Sequence, residues 1–225
     1  MTVLLDTWST EKAEEDGMTD EHTWIWRQMI AATALPKGDF SRVLDIGCNQ
    51  GGFLRMLYDQ TPFAKGVGVD LAQDAVAMAE ARKGDRPLSY IASTDLKDAG
   101  GGFDIAYSHE VIYLIRDLKD HARQVRDVLR PGATYHAVTC CHADSPLYAG
   151  WREKIGGFSK IPVPNHSITD ISTAFLKEGF QVTASRFLAN AAIPLEGPSD
   201  YFPSDAARLD TYATWKIMFH CTLPA

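Results

Sequence analysis

A glycine-containing turn that follows an apolar run has the residue types needed to bind part of a nucleotide. The turn has the spacing Asp45-x-Gly47-x-Asn49-x-Gly51, where x is any residue. Glycine lets a ligand come close to the backbone and permits positive φ, and the free amides at the start of a following helix attract anionic groups. Asp70 ends the next apolar run, where a carboxylate can accept hydrogen bonds from both ribose hydroxyls. These residues predict a site for a cofactor that contains a nucleoside.

Such a site needs a scaffold that brings the ends of neighbouring strands together. Between positions 42 and 139, apolar strand-like runs alternate with segments of helical spacing, and short turns join them. This alternation predicts an α/β, Rossmann-like fold with a seven-stranded, mostly parallel sheet, helices on both faces and an antiparallel last strand. The predicted strands lie at 43–46, 66–70, 88–92, 103–107, 133–139, 180–188 and 211–223.

We interpret the chain as a single domain. Three of its segments do not follow this alternation of strands and helices. Residues 1–38 are predicted to form a polar arm and then a helix that begins at Thr19, ends near Leu35-Pro36 and caps the site. Two later segments are long for connections between elements and begin at the edge where the carboxyl ends of strands meet. They are predicted to be loop-rich substrate lids, at 140–166 and 190–210.

The order of these motifs resembles that of the class I S-adenosylmethionine-dependent methyltransferases. The resemblance covers about residues 42–139 and rests on five motifs: the turn at 45–51, Val67-Gly68-Val69-Asp70-Leu71, Ser93-Thr94-Asp95-Leu96, Phe103-Asp104-Ile105-Ala106-Tyr107-Ser108 and Leu129-Arg130-Pro131-Gly132-Ala133. It implies that a methyl group moves from S-adenosyl-L-methionine, which becomes S-adenosyl-L-homocysteine, to an O or N atom of a small-molecule acceptor. A metabolite, an amino sugar, an amine or a phenol would be such an acceptor.

The resemblance also implies roles for single residues around the cofactor. Asp45 and Gly47 would shape the pocket for the methionine part, and Asp70 would bind the ribose hydroxyls. Asn49 stands where the family has its middle glycine, and because asparagine tolerates the left-handed region, the turn is expected to persist. The complete predicted cofactor set is Asp45, Gly47, Cys48, Asn49, Gly51, Asp70, Leu71, Asp95, Leu96 and Ser108.

Methyl transfer is an in-line displacement, so alignment of the reacting atoms matters most, and a general base is needed when the acceptor is a hydroxyl. His109 and Glu110 follow the fourth predicted strand, in a stretch (108–114) that locally resembles the nodulation-type N-methyltransferases, which methylate an amino sugar. His142 follows the fifth strand. These three are the predicted catalytic or substrate-orienting residues. No metal site is predicted, because the histidine spacing is generic.

The acceptor pocket is predicted to come from segments outside the cofactor core. All five tryptophans lie outside residues 40–139. The lids start at the ligand edge of the sheet. Their aromatic residues, with Trp8 of the arm and Trp24 and Trp26 of the first helix, are expected to build the pocket. The predicted acceptor contacts are Trp8, Tyr113, Trp151, His166 and Tyr201.

Composition narrows the partners further. The net charge of −7 across residues 1–225 argues against an extended surface that binds nucleic acid electrostatically. No apolar stretch approaches the ~20 residues of a membrane span, and the four cysteines show no paired spacing. We therefore expect a cytoplasmic monomer or homodimer that binds a small molecule and neither nucleic acid nor membrane. The alternatives are a nicotinamide-dependent Rossmann oxidoreductase, whose Gly-x-Gly-x-x-Gly spacing is absent, and a non-catalytic cofactor-binding protein.

Overall fold

The computed structural model describes residues 3–10, 12–33 and 41–225, with the side chains of 3–10, 22–33 and 41–225. Its strands are β1 (Arg42–Ile46), β2 (Lys65–Asp70), β3 (Leu88–Ala92), β4 (Phe103–His109), β5 (Leu129–Thr139), β6 (Gln181–Arg186) and β7 (Ile217–Thr222). Its α-helices are α1 (Lys12–Ala32), α2 (Gly52–Gln60), α3 (Gln73–Arg82), α4 (Leu118–Val128), α5 (Tyr148–Phe158), α6 (Ile168–Lys177) and α7 (Asp205–Asp210).

The seven strands form one sheet in the order β3-β2-β1-β4-β5-β7-β6. The first five strands pair in parallel, whereas β7 lies antiparallel to both β5 and β6. The predicted fold class is therefore confirmed, including the antiparallel last strand. The strand order reverses at β1, which has β2 on one side and β4 on the other, and ligands of such sheets bind at the carboxyl ends beside this reversal.

Two apolar layers cover the sheet, one on each face. Along β1, Leu44 and Ile46 pack into a layer with α4 and α6, and Val43 packs into a layer with α1 and α2. This alternation follows from the two-residue period of a strand. At the start of α6, the Ser167 side chain accepts from the Asp170 backbone and the Asp170 carboxylate accepts from the Ser167 backbone, as their capping-box spacing predicts.

Some predicted boundaries are wrong. Helix α1 begins at Lys12 instead of Thr19, because residues 12–15 (Lys-Ala-Glu-Glu) are strong helix formers; its predicted end at Leu35-Pro36 lies outside the described residues. The lids are not loops throughout, since they contain α5 and α7. The last strand begins at Ile217, and a π-helical turn precedes it at Thr211–Trp215.

Candidate active site

The turn between β1 and α2 alternates through the left-handed region. Gly47 and Gly51 both have φ 72° and Asn49 has φ 44°, which confirms that asparagine can stand in for a glycine here. The Gly47 amide donates to the Val69 carbonyl oxygen at 2.8 Å. A Cβ added at Gly47 would lie 2.2 Å from Cγ2 of Val111. The turn is therefore tied to β2 and leaves no room for a side chain at Gly47.

The carboxylate of Asp70 ties the end of β2 to the same turn. The Asn49 amide donates to its Oδ2 at 2.8 Å, and the Ala72 amide donates to its Oδ1 at 2.9 Å. Burial raises the pKa of Asp70, and these backbone hydrogen bonds oppose that effect. Each oxygen keeps a lone pair that can accept a further hydrogen bond. Asp70 is thus fixed in position, and its oxygens can still accept hydrogen bonds from ribose hydroxyls. Ribose binding by Asp70 stays a prediction.

Asp45 presents an unpaired carboxylate oxygen beside the turn. The residue is 3% exposed, and its Oδ2 has no hydrogen-bond partner among the described residues. Burial and the neighbouring charge of Asp70 raise its pKa to about 8. Asp45 lines a cavity together with residues of the turn, Trp26 of α1 and His109. A buried carboxylate without a partner suits a cationic group, and the methionine ammonium of S-adenosylmethionine is such a group.

Two histidines and a tryptophan form the opposite wall of this cavity. The indole Nε1–H of Trp26 donates to Nδ1 of His109 at 3.3 Å, and the His22 ring meets the His109 ring edge-on at 4.6 Å between centroids. Burial and the positive charge of Lys216 lower the pKa of His22 to about 4 and that of His109 well below its usual value. Both His22 and Trp26 come from α1. Trp26 was expected to help build the acceptor pocket, whereas His22 was not predicted as a site residue, because only the fold brings that helix over the turn.

Glu110 is part of a buried ion pair behind this wall. Its Oε1 lies 2.7 Å from Nζ of Lys216, and the hydroxyl of Thr139 donates to its Oε2 at 2.7 Å. Burial opposes ionisation, but Lys216 and these hydrogen bonds lower the pKa of Glu110 to about 2. Its φ of 51° is unusual for a residue with a side chain. Glu110 therefore anchors the end of β4, and nothing in the local sequence signalled Lys216 as its partner.

The Glu110 carboxylate is also near two thiols, which raises the question of a metal site. Within the described part of the chain, Glu110, Cys140 and Cys141 form the group whose possible ligand atoms lie within 4.8 Å of one another. The Cys140 amide donates to Oε1 of Glu110 at 3.1 Å, and the Lys216 ammonium occupies the same oxygen. An ammonium at that distance already neutralises the carboxylate, so these residues do not fit a cation.

His142 and His166 hold loops in place and lie outside the cavity. Nε2 of His142 is 2.8 Å from the Trp215 carbonyl oxygen, and Nε2 of His166 is 2.8 Å from the Ile115 carbonyl oxygen. His142 is fully buried. Its ring joins the segment after β5 to the turn before β7, and its catalytic role stays a prediction.

The predicted acceptor aromatics pack among themselves. Trp151 donates from Nε1 to the Tyr201 carbonyl oxygen at 2.6 Å, Trp8 meets the Phe158 ring edge-on, and Tyr113 is buried in the same apolar cluster as Trp151. None of the five predicted acceptor residues lines the cavity described above. The cluster builds the lid, and direct contact with an acceptor stays a prediction.

The arm before α1 runs from the end of β2 to the lid. The Leu5 amide donates to the Leu71 carbonyl oxygen at 2.9 Å, and the Gln73 amide donates to the Leu5 carbonyl oxygen at 2.8 Å. Farther along, the Thr10 amide donates to the Phe158 carbonyl oxygen at 2.8 Å. Residues 3–10 therefore form a strap between the start of α3 and the end of α5.

The remaining predicted cofactor residues lie around the ends of β3 and β4. Asp95 accepts from the Lys97 amide at 2.9 Å and caps a short 3₁₀ turn, and the Leu96 amide donates to Oε1 of Gln124 at 3.0 Å. The Ser108 hydroxyl is buried against the Tyr135 hydroxyl at 2.6 Å, so only its backbone is left for a ligand. Cys48 lines the cavity.

Comparisons with known proteins agree with this geometry. Residues 44–135 match the model of a family described as a methyltransferase domain. This segment of the chain is therefore similar to a methyltransferase domain. Malonyl-[acyl-carrier protein] O-methyltransferase of Enterobacter lignolyticus is 32% identical over 139 residues, 59% of this chain and 53% of the relative. Trans-aconitate 2-methyltransferase of Variovorax paradoxus is 26% identical over 153 residues, which are 63% of this chain and 58% of the relative. The chain thus matches a little over half the length of these relatives.

Solved structures establish the fold over nearly the whole chain. The complex of the Haloferax volcanii Trm112 methyltransferase activator with a candidate methyltransferase contains a chain with TM-score 0.78 and 23% identity, at 95% coverage of both chains. Geranyl diphosphate C-methyltransferase of Streptomyces coelicolor, in complex with Mg²⁺, geranyl diphosphate and S-adenosyl-L-homocysteine, has TM-score 0.63 and 14% identity, at 96% coverage of this chain and 87% of that one. Among the helices described here, none has the length and apolar character to span a bilayer.

Proposed function

We propose that this protein transfers the methyl group of S-adenosyl-L-methionine to an oxygen or nitrogen atom of a small-molecule acceptor. The observation that carries the proposal is the cavity between the glycine turn and the His22–Trp26–His109 wall. It combines the unpaired Oδ2 of Asp45 with the carboxyl ends of β1 and β4. We infer that the cofactor and the acceptor meet at this cavity.

The residues of the chain bind and align, while the cofactor supplies an electrophilic methyl group on a sulfonium. Asp45 would hold the methionine ammonium, Asp70 the ribose hydroxyls and Asp95 the adenine amino group. The strap and α5 cover the edge of the sheet and exclude water. Much of the rate of such a displacement comes from holding both reactants in line, so a rigid wall made of Trp26 and His109 suits the task.

Among the acceptor types, the relatives favour oxygen. Their names refer to malonyl-[acyl-carrier protein] and trans-aconitate, and both molecules carry carboxyl groups. A protein partner is a second partner class to test, because one structural relative is in complex with the Trm112 activator. For location we propose the cytoplasm, since the four cysteines are free thiols.

Calorimetry with S-adenosyl-L-homocysteine tests the cofactor assignment. The wild type should bind, and Asp70→Ala should bind about tenfold or more weakly, because about 1–1.5 kcal/mol is lost for each hydrogen bond to the ribose. Asp59→Ala is the matched control, since Asp59 pairs with Arg86 on the surface. NADH should give no heat. Binding of NADH without binding of S-adenosyl-L-homocysteine would favour the oxidoreductase alternative.

A further inference from the structure

The hydrogen bond from Trp26 decides which nitrogen of His109 carries the proton. An indole Nε1–H can only donate, so Nδ1 of His109, 3.3 Å away, must accept. A neutral imidazole has one acceptor and one donor nitrogen. Nε2 of His109 therefore carries the hydrogen. It is sealed from solvent and has no hydrogen-bond partner among the described residues, so it is the nitrogen left for a ligand in the cavity.

His109 is consequently ill-suited to remove a proton. The lone pair on Nδ1 is engaged by Trp26, and Nε2 already bears a hydrogen. Burial, with Lys216 and His22 adding to it, holds the pKa of His109 well below its usual value, so the ring stays neutral at physiological pH. What the ring can do in this state is donate one hydrogen bond.

The charges around His109 decide what it would donate to. Lys216 is 2% exposed and acts on both His109 and His22. Glu110 pairs with Lys216 and is ionised. The remaining acid, Asp45, belongs to the glycine turn and faces the cofactor's ammonium in the proposed function. The Glu110–Lys216 pair is neutral overall, and a hydrogen bond donated by the ring is stronger when the accepting oxygen is anionic.

We propose that the acceptor is a carboxylate and that His109 positions it by donating a hydrogen bond from Nε2. The inference rests on the proposed function and names the substrate class of that same cavity. In the reaction, a lone pair of the carboxylate oxygen forms the new bond to the methyl carbon, and the methyl–sulfur bond breaks with its electron pair remaining on sulfur. The negative charge of the carboxylate and the positive charge of the sulfonium cancel, so an ester and a thioether result and no proton is transferred.

The absence of a proton transfer is what links this acceptor to this site. A hydroxyl acceptor would need a base to take its proton, and an ammonium would have to lose one before attack. A carboxylate is already deprotonated at neutral pH. The Trp26–His109 pair therefore fits an acceptor that needs orientation without a base, and among the oxygen acceptors that the relatives' names favour, a carboxylate meets this condition.

The tautomer can be observed without any substrate. Nitrogen-15 NMR of the imidazole rings should show Nε2 of His109 as the protonated nitrogen and Nδ1 as the unprotonated one from about pH 5.5 to pH 8.5. In Trp26→Phe this preference should weaken, since the donor to Nδ1 is removed. A wild-type ring that is protonated on Nδ1, or that titrates near pH 6.5, would overturn the donor role.

Two substitutions at His109 separate donation from proton removal. His109→Gln keeps an acceptor for Trp26 and a terminal N–H for the substrate, and it should retain activity within about fivefold of wild type. His109→Phe keeps the ring but loses the donor, and it should raise KM for the acceptor about tenfold or more while the affinity for S-adenosyl-L-homocysteine stays within about twofold. If His109→Gln lowers activity as much as His109→Phe, the proposal is wrong. It is also wrong if the wild-type rate rises with pH through the imidazole range and this rise disappears in His22→Asn, because a base is then required.

The product identifies the acceptor class directly. Methyl-labelled S-adenosylmethionine is incubated with trans-aconitate, malonate and benzoate, and with an alcohol and an amine matched to each, together with a low-molecular-weight cell filtrate. Label that is released as methanol by mild alkali is an ester and supports the proposal. Alkali-stable label on a hydroxyl or an amine overturns it and leaves the proposed function intact. Failure to bind S-adenosyl-L-homocysteine at all would instead remove the proposed function.

Discussion

At the residue scale, the unpaired carboxylate of Asp45 is the group most directly linked to ligand binding. Its Oδ2 has no partner within the described residues, and its pKa is raised to about 8 by burial and by Asp70. The free protein therefore holds this carboxyl group protonated at pH 7, whereas a cationic ligand group selects the ionised form. Cofactor binding should thus release a proton.

This linkage predicts a pH dependence of cofactor affinity. Below about pH 8 the affinity for S-adenosyl-L-homocysteine should fall as the pH falls, by up to about tenfold per unit, because the proton on Asp45 must be displaced. Calorimetry in buffers of different ionisation enthalpy measures both the affinity and the proton release. In Asp45→Asn the affinity should be lower and should no longer depend on pH in this range. A wild-type affinity that is constant from pH 6 to pH 8 would contradict the role of Asp45.

Gly47 is the second residue whose local geometry makes a prediction. Gly47→Ala should destabilise the protein by about 1–2 kcal/mol for the left-handed backbone alone, and by more because the new Cβ would overlap Val111. The control is Gly150→Ala in α5, where no atom lies within 4 Å of an added Cβ; it should stabilise by about 0.5–1 kcal/mol. Urea unfolding measures both. Equal effects of the two substitutions would show that the turn does not need its glycine.

At the element scale, the Glu110–Lys216 pair joins the end of β4 to the start of β7, 106 positions apart in the chain. Removing one partner leaves a buried charge without compensation, so Glu110→Gln or Lys216→Met should each destabilise by about 3–5 kcal/mol. The double variant should be more stable than the sum of the two losses predicts. Lys154→Met, at the surface pair with Asp200, should change stability by less than about 1 kcal/mol. Additive losses in the double variant would show that the two side chains act separately.

The Glu110–Lys216 pair should also make the free energy of unfolding depend on pH in the acid range. The pKa of Glu110 is lowered from 4.5 to about 2 in the folded protein, so its stabilisation is fully present above pH 4.5 and is lost as the pH falls towards 2. Urea unfolding at pH 3 and pH 6 should show a smaller difference in the free energy of unfolding for Glu110→Gln than for the wild type. An unchanged difference would mean that Glu110 does not contribute to acid stability.

The strap at residues 3–10 links the end of β2, where Asp70 is proposed to bind the cofactor, to the lid. Leu5→Pro removes the amide that donates to the Leu71 carbonyl oxygen and should speed dissociation of S-adenosyl-L-homocysteine about fivefold or more. Leu5→Ala keeps that amide and should leave the rate nearly unchanged. Stopped-flow displacement measures the dissociation rate. Identical rates for the two variants would separate the strap from cofactor retention.

At the scale of the whole molecule, the local sequence pattern was enough to predict the fold and the backbone conformation of the glycine turn. The alternation of strand and helix spacing predicted the sheet, and Asn49 was placed correctly in a left-handed position because its own side chain permits it. The partners of Glu110 and His109 were not predictable in this way. Lys216 and Trp26 come from opposite ends of the chain, and only the packing of α1 and β7 around the sheet brings them together.

The lids illustrate the same limit. Trp151, Ile155 and Phe158 have helical spacing and are buried on one face of α5, a signal present in the sequence but outweighed by the prolines and glycines around it. Of these, Trp151 was predicted to contact the acceptor. Its ring lies in an apolar cluster with Ile155 and Phe158, and the acceptor contact stays a prediction. One wall of the cavity is supplied by α1, a helix whose first third was interpreted as part of an arm.

We propose that the cavity between Asp45 and His109 holds the methyl donor, and a crystal structure with S-adenosyl-L-homocysteine would show whether it does. We expect the amino group of the ligand within hydrogen-bond distance of Oδ2 of Asp45 and its ribose hydroxyls on Asp70. Its sulfur should lie on the side of the cavity formed by Trp26 and His109. A ligand bound elsewhere, or one whose sulfur is separated from His109 by the glycine turn, would contradict it.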